Sequence, residues 1–482
     1  MKFRPLSLSL ILILCSPAYA SLNKLTEELI ENNFGIQEKD QQIFISKQNV
    51  QQFWAMRPWN LNIDASYRND HSAFFTPVSN MNAVYQNYLA QFNKRLVWGG
   101  QFQVDATFIR TVRDDENFIY VFGKDQGEPK TFFNFKMGIS YIQDLGRNVF
   151  GREEYKDLET REYAVSVSRA SKDLEIESKV LEFFVAYIKV RQLKTVLISE
   201  KNALDRAKKR TNLIRRMVKD GLRLDVDLDE SRMIEIEKEE AVKRAYINLG
   251  TTLERVSNLV HREVKEDEIK ELDPFGKVLP LTLKSKGNPH NNKIIKLFEA
   301  QIRQLQLGLQ YINYGFVPSI KLILDYKTDA IGTGEFEVLR EGNLTGEFFD
   351  ATAMVRLEWP LGYPEKDVEK AKAGIDLNTA KMRRNKEFRN IQNSEYYIRY
   401  RLKMLEENII KAKKRWDLSK VVLDKYNKLY NLGRTDLLQS LTAEERRIFT
   451  ELRYISYIGE REELLAQLAF LWGSLKDTIS KI

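Results

Sequence analysis

The chain has 482 residues, 30% of them charged, and a net charge of +8. Both signs are interspersed along it and no basic patch gathers, which argues against a nucleic-acid partner. Cys15 is the only cysteine, so a disulfide framework or a cysteine-held metal site is excluded.

Residues 1–20 read as a signal peptide. Lys2 and Arg4 give a positive start, Leu6 to Leu14 an apolar run, and Ala18-Tyr19-Ala20 a cleavage site after Pro17. The run is too short for a membrane anchor. Cys15 follows Leu14 rather than a small residue, so the expectation is Sec export without a lipid anchor. A mature chain without thiols suits an oxidising compartment. No later apolar run reaches the ~18 residues of a spanning helix, so any membrane crossing falls to strands.

The first repeat is expected over residues 21–261. Glu31-Asn32-Asn33 opens a helix that stops at Pro58. The period then changes to two: Leu61, Ile63, Ala65 and Tyr67 alternate with Asn62, Asp64 and Ser66, the pattern of a half-buried strand. Tyr88, Ala90 and Phe92 lead through Gly99-Gly100 to Phe102, Val104, Ala106 and Phe108, and Phe133, Phe135, Met137, Ile139 and Tyr141 form a fourth strand. Residues Arg152 to Asp220 then lack proline and glycine, and Val180, Phe183, Phe184, Tyr187 and Ile188 mark a buried helical stripe. Gly221 ends this helix, and a further helix runs to about Leu259.

Residues 262–289 read as a linker, and 290–482 repeat the plan. His290-Asn291-Asn292 opens a helix that stops at Pro318. Two strands follow, Ile320 to Tyr326 and Ala351 to Trp359. A second uninterrupted helix spans Ile375 to Leu432, Gly433 ends it, and a last helix runs to about Leu475. The first long helix measures ~105 Å and the helices flanking it ~50 Å each; the second measures ~90 Å beside two that total ~100 Å. Matched lengths are what a cylinder of antiparallel helices requires.

The strands have the ~10-residue length and alternating period of outer-membrane barrel strands. Trp59, Trp98, Tyr141, Tyr326 and Trp359 gather near strand ends, as interface aromatics do; a soluble β-sandwich with core aromatics is the competing reading of the strands alone. Six strands cannot close a useful pore, whereas three copies can. The fold class expected is mainly α with a β-barrel portion: duplicated long helical hairpins forming an α-barrel tunnel, plus strands forming a trimeric transmembrane β-barrel.

At this point the sequence resembles the TolC-like outer-membrane efflux proteins. Gly221-Leu222, followed by Asp227-Leu228 and Ser231-Arg232, resembles the tip motif at which one helix turns into the next; Tyr430-Asn431-Leu432-Gly433-Arg434 resembles the second tip, with Ala443 placed as Ser231 is. Pro58 and Pro318 match the helix-to-strand prolines. Tyr141-Ile142-Gln143-Asp144-Leu145 and Leu357-Glu358-Trp359-Pro360-Leu361-Gly362 resemble the segments that close the strand pairs. The resemblance implies a homotrimeric channel-tunnel in outer-membrane lipid. It implies a periplasmic adaptor and an inner-membrane transporter as partners, and no cofactor. It further implies that Asp227, Tyr430 and Arg434, with Asp225 and Asp436 nearby, gate the tip, and that Gly221, Leu222 and Gly433 form the adaptor-docking tip. Arg434 stands one place before the matching position, which Thr435 holds. Gln439 and Thr442 stand where some relatives carry aspartate rings. Six strands rather than four per chain give eighteen instead of twelve, unless the extra pair lies outside the barrel.

No enzyme is expected. His71, His261 and His290 are isolated, and Gly332-Thr333-Gly334 lacks the lysine and helix of a phosphate loop. The alternative function is a periplasmic coiled-coil adaptor or scaffold, which has one helical hairpin between soluble β-domains.

Overall fold

The computed structural model describes residues 22–70, 82–114, 131–270, 272, 278–283, 285–314, 316–346, 348–359, 362, 364–432 and 434–481. The expected signal peptide, His71, Pro360, Leu361 and Gly433 lie outside these.

In chain order the elements are α1 (Leu22–Asn32), α2 (Phe34–Ala55), β1 (Asn60–Asp70), β2 (Asn82–Arg95), β3 (Gly100–Asp114), β4 (Thr131–Asp144), α3 (Arg152–Lys219), α4 (Asp225–Val260), α5 (Lys293–Tyr314), β5 (Ser319–Gly332), α6 (Glu335–Glu341), β6 (Phe349–Glu358), α7 (Pro364–Asn431), α8 (Leu437–Leu471) and α9 (Leu475–Ile479). The chain forms two compact units. One comprises Met1–Gln42, Ser168–Glu299 and Met382–Ile482; the other comprises Ile43–Val167 and Ala300–Lys381. Each takes segments from both halves of the sequence.

The halves use matching parts. Helices α2 and α5 have 22 residues each, α3 and α7 have 68 each, and α4 and α8 have 36 and 35. The second long helix begins at Pro364, not near Ile375. Proline is at home in a first helical turn, where its missing N–H is not needed. Gly374 is carried within the helix: nothing lies within 4 Å of where its Cβ would stand, and a glycine there costs only ~1 kcal/mol. The short helix α6 between β5 and β6 has no counterpart in the sequence reading.

The helical unit is built on one large core. Val180, Phe183, Phe184 and Ile188 of α3 pack with Leu25 and Leu29 of α1, Leu249 and Val256 of α4, Leu402 of α7 and Leu464 and Leu468 of α8. The segment after α4 is a packed strap, with Val264, Ile269, Leu272 and Leu279 buried. The buried Glu462 carboxylate accepts the Val278 and Leu279 backbone N–H groups at 3.2 and 3.0 Å.

One device occurs twice in this unit. Asn33 accepts the Gly35 N–H at 3.0 Å and donates its amide to the Leu259 carbonyl at 3.0 Å. Asn292 accepts the Ile294 N–H at 2.8 Å and donates to the Leu471 carbonyl at 3.0 Å. Each asparagine starts one helix and satisfies an orphan carbonyl at the end of a returning one. The Asn33 break also divides α1 from α2.

In the other unit all six strands form one antiparallel sheet in the order β1-β2-β3-β4-β5-β6. The extra pair, β2 and β3, therefore lies inside the sheet. β2 and β3 are joined by the tight turn at 96–99, where Gly99 has φ +78° and an added Cβ would stand 2.8 Å from the Asn148 carbonyl. At the opposite end β1–β2, β3–β4 and β5–β6 are linked by the longer stretches 71–81, 115–130 and 333–348. Long links at the rim away from the helices are typical of the outer rim of outer-membrane barrels.

Candidate functional site: the helical tips and the two-faced sheet

The register of the five pairings decides which side chains share a sheet face. Asp64 stands opposite Leu89, Leu89 opposite Thr107, Thr107 opposite Lys136, Lys136 opposite Asp329; nearer the helices, Asp325 is opposite Thr352. On every strand the alternate positions on this side are mainly polar or charged. The other side carries Ile63, Ala90, Ala106, Met137, Thr328 and Phe349 in one row across the strands, and Leu61, Phe92, Val104, Ile139, Tyr326 and Ala351 in another. Six strands agree on one apolar face. Ile63, Val355 and Leu357 on that face are exposed at 73%, 67% and 60%. Bare aliphatic side chains on one face at both edges of a sheet mark an interaction surface rather than a solvated one.

Aromatic residues bracket that face. Where the helices join the sheet, Trp59 stacks on Phe92 with centroids 4.6 Å apart, the Trp98 indole donates to the Tyr141 hydroxyl at 3.2 Å, and Trp359 is exposed. Toward the other rim Tyr326 stacks with Phe349 at 5.8 Å and donates its hydroxyl to the Leu344 carbonyl at 3.0 Å. An apolar body with a satisfied polar handle suits a membrane–water boundary.

The tips lie at the ends of α3 and α7. Gly221 has φ +72°; its N–H reaches the Val218 carbonyl and the Leu222 N–H reaches the Met217 carbonyl, at 3.0 and 2.8 Å. This is a Schellman closure, which needs a left-handed residue. The Arg434 N–H makes the corresponding bond to Leu429 at 2.9 Å. Beyond the turns Leu222, Leu224 and Leu432 are exposed.

Tyr430 is buried at 5% exposure, packed with Ile214 and Leu441. Its hydroxyl has no hydrogen-bond partner among the described residues. Arg223 lies over its ring, 5.0 Å from the centroid, and approaches the Asp227 carboxylate at 4.0 Å. Burial raises the Tyr430 pKa, with Asp227 adding to the effect and Arg223 opposing it. The structure thus brings Asp227 and Tyr430 to one cluster, but the arginine that joins them is Arg223. Arg434 is exposed and forms no ion pair with a described residue. Asp225 is exposed in the first turn of α4. Asp436 accepts the Gln439 N–H at 2.9 Å as the N-cap of α8, a structural task. Asp227 makes no cap bond; Leu224 holds the cap position of α4.

A second polar cluster was not singled out from sequence. Glu444 on α8 accepts from Arg206 Nε at 2.7 Å and pairs with Arg210, both on α3. Burial acts to raise the Glu444 pKa, but Arg210 and Arg206 outweigh it and hold the carboxyl below its ordinary value. The signal available was the four-residue spacing of Arg206 and Arg210, which places them on one helix face. Close by, Ser231 is buried and its hydroxyl meets that of Thr211 at 3.0 Å, while Ala443 is buried in the second hairpin. Small side chains let the helix pairs approach.

No helix among the described residues is long and apolar enough to cross a membrane. No group of three or more potential metal ligands occurs among them.

With its long helical part and antiparallel sheet, this chain has the fold of TolC-like outer-membrane channels. The chain matches CusC with a TM-score of 0.66 at 13% identity, over 94% of this chain and 93% of that one. It matches the VceC outer membrane protein of Vibrio cholerae with a TM-score of 0.64 at 12% identity, over 94% and 96%. The open state of the Neisseria gonorrhoeae MtrE outer membrane channel matches at 0.65 and 15% identity, over 94% and 89%. No protein-family model and no curated protein matches the sequence.

Proposed function

We propose that three copies of this chain form an outer-membrane channel-tunnel, a passive duct that exports substrates delivered by an inner-membrane transporter through a periplasmic adaptor. The observation that carries this is the sheet: six strands in sequence order, mainly apolar on one face and mainly polar on the other. Such a sheet buries its apolar face in lipid and turns its polar face to a water-filled lumen. The helical hairpins then form the periplasmic tunnel. The Arg223, Asp227 and Tyr430 cluster serves as its gate, and the exposed Leu222 and Leu432 as the apolar edge where the adaptor docks. The signal peptide delivers the chain to the periplasm, with no lipid anchor and no enzymatic step. An adaptor is not favoured, because its single hairpin between soluble β-domains does not fit two hairpins alternating with one continuous sheet. Cell fractionation tests the reading. The protein is expected in the outer membrane, released only by detergent; recovery as a soluble periplasmic monomer overturns it.

A further inference from the structure

The two edge strands, β1 and β6, pair with no strand among the described residues on their outer sides, and nearly every residue of both is exposed. Five antiparallel pairings separate them, so they run in opposite senses. A β1 from a second copy can therefore join β6 antiparallel.

The internal register says how. At right angles to the strands, Asn60 faces Asn93, then Gln103, Ser140, Asp325 and Thr352 in turn. Asn60 is the first residue of β1, whereas Thr352 stands six residues before Glu358, the corresponding end of β6. The sheet thus slides six residues over five pairings. With ~3.4 Å per residue and ~4.8 Å between strands, that is a tilt of about 40°, inside the range at which outer-membrane barrels close. One further step at this rate puts Glu358 opposite Asn60 or Asn62, since only even offsets keep the polar faces together. Charge decides between them. With Asn62 opposite Glu358, Asp64 meets Arg356 but Asp70 meets Asp350, so an attractive pair is offset by a like-charge one. With Asn60 opposite Glu358, Arg68 meets Asp350, Ser66 meets Thr352, and Asp64 lies diagonal to Arg356. Opposite charges across a strand pair stabilise it and like charges do not.

We infer that β6 of one copy pairs with β1 of the next in the register Asn60 opposite Glu358, and that three copies close an eighteen-stranded barrel. This rests on the trimeric channel proposed above. At the same tilt an eighteen-stranded cylinder is about 36 Å across between backbones, against about 24 Å for twelve strands. The face turned inward holds both signs, with Lys136 and Asp329 paired at 3.1 Å. The outer-membrane segment is a wide, mixed-charge aqueous pore, and selection is left to the helical tips.

Paired cysteines test the seam, since Cys15 in the expected signal peptide is the only native one. Ser66→Cys with Thr352→Cys, treated in outer membranes with a short bismaleimide, is expected to convert most of the protein to covalent trimers on a denaturing gel. Ala65→Cys with Thr352→Cys puts the thiols on opposite faces and is expected to give none. The native mass of the detergent-purified protein is measured in parallel. A mass other than a trimer overturns the channel reading itself. A trimer that does not cross-link, or that reacts better through Ser66→Cys with Met354→Cys, overturns the proposed seam alone.

Discussion

Glu444 is 5% exposed between two arginines of a neighbouring helix. Its folded pKa lies below the ordinary carboxylate value, so the charged form stabilises the fold. That contribution is complete above the ordinary value and is lost as pH falls through the lower folded one. Glu444→Gln leaves two partly exposed arginines facing an uncharged amide and is expected to cost about 2–3 kcal/mol, the scale of a hydrogen bond to a charged group. It should also flatten the decline of thermal stability below about pH 4.5, read by calorimetry across pH. The cluster of Arg223, Asp227 and Tyr430, the proposed gate, is weaker. Arg223 and Asp227 are 4.0 Å apart and partly exposed, so each contact contributes about 1 kcal/mol or less. A gate made of several such contacts can yield to a docking partner. Arg223→Ala, and separately Asp227→Ala with Tyr430→Phe, are expected to raise single-channel conductance in planar bilayers. Unchanged conductance in a correctly inserted protein would remove the cluster from the gate. Neither Arg223 nor Glu444 stands out in the sequence. Their partners lie across a helix turn or on another helix, and in a chain 30% charged no single pair is conspicuous.

At the scale of elements the sequence was more informative. The strands were legible because a period of two separates lipid-like from water-like faces on every one of them. The glycine at the first tip was legible because a left-handed closing residue excludes most side chains. The start of α7 was not, because Gly374 and Pro364 break helices only where space or a hydrogen bond is at stake. The matched Asn33 and Asn292 could be seen as repeated letters, but their work is long-range: each bonds a carbonyl at the end of a distant helix. Asn33→Ala and Asn292→Ala are each expected to cost about 1–2 kcal/mol, with similar shifts in melting midpoint. If only one of the two destabilises, the paired roles given to them here are wrong.

For the whole molecule, the apolar face of the sheet sets the terms. A chain that leaves residues such as Ile63, Val355 and Leu357 bare is incomplete in water. The two unpaired edges add rows of open backbone hydrogen-bonding groups, which proteins cover or pair. Lipid against the face and further copies against the edges satisfy both at once. The number of strands per chain, six where twelve-stranded trimers need four, was legible as an extra pair, but its place inside the sheet required the pairing itself. Electron cryomicroscopy of the particle extracted from outer membranes tests this most directly. The account predicts three copies about one axis, their strands joined in a single membrane-embedded barrel and their long hairpins continuing beyond it. A monomer, or a particle whose sheet packs its apolar face on protein rather than lipid, would contradict it.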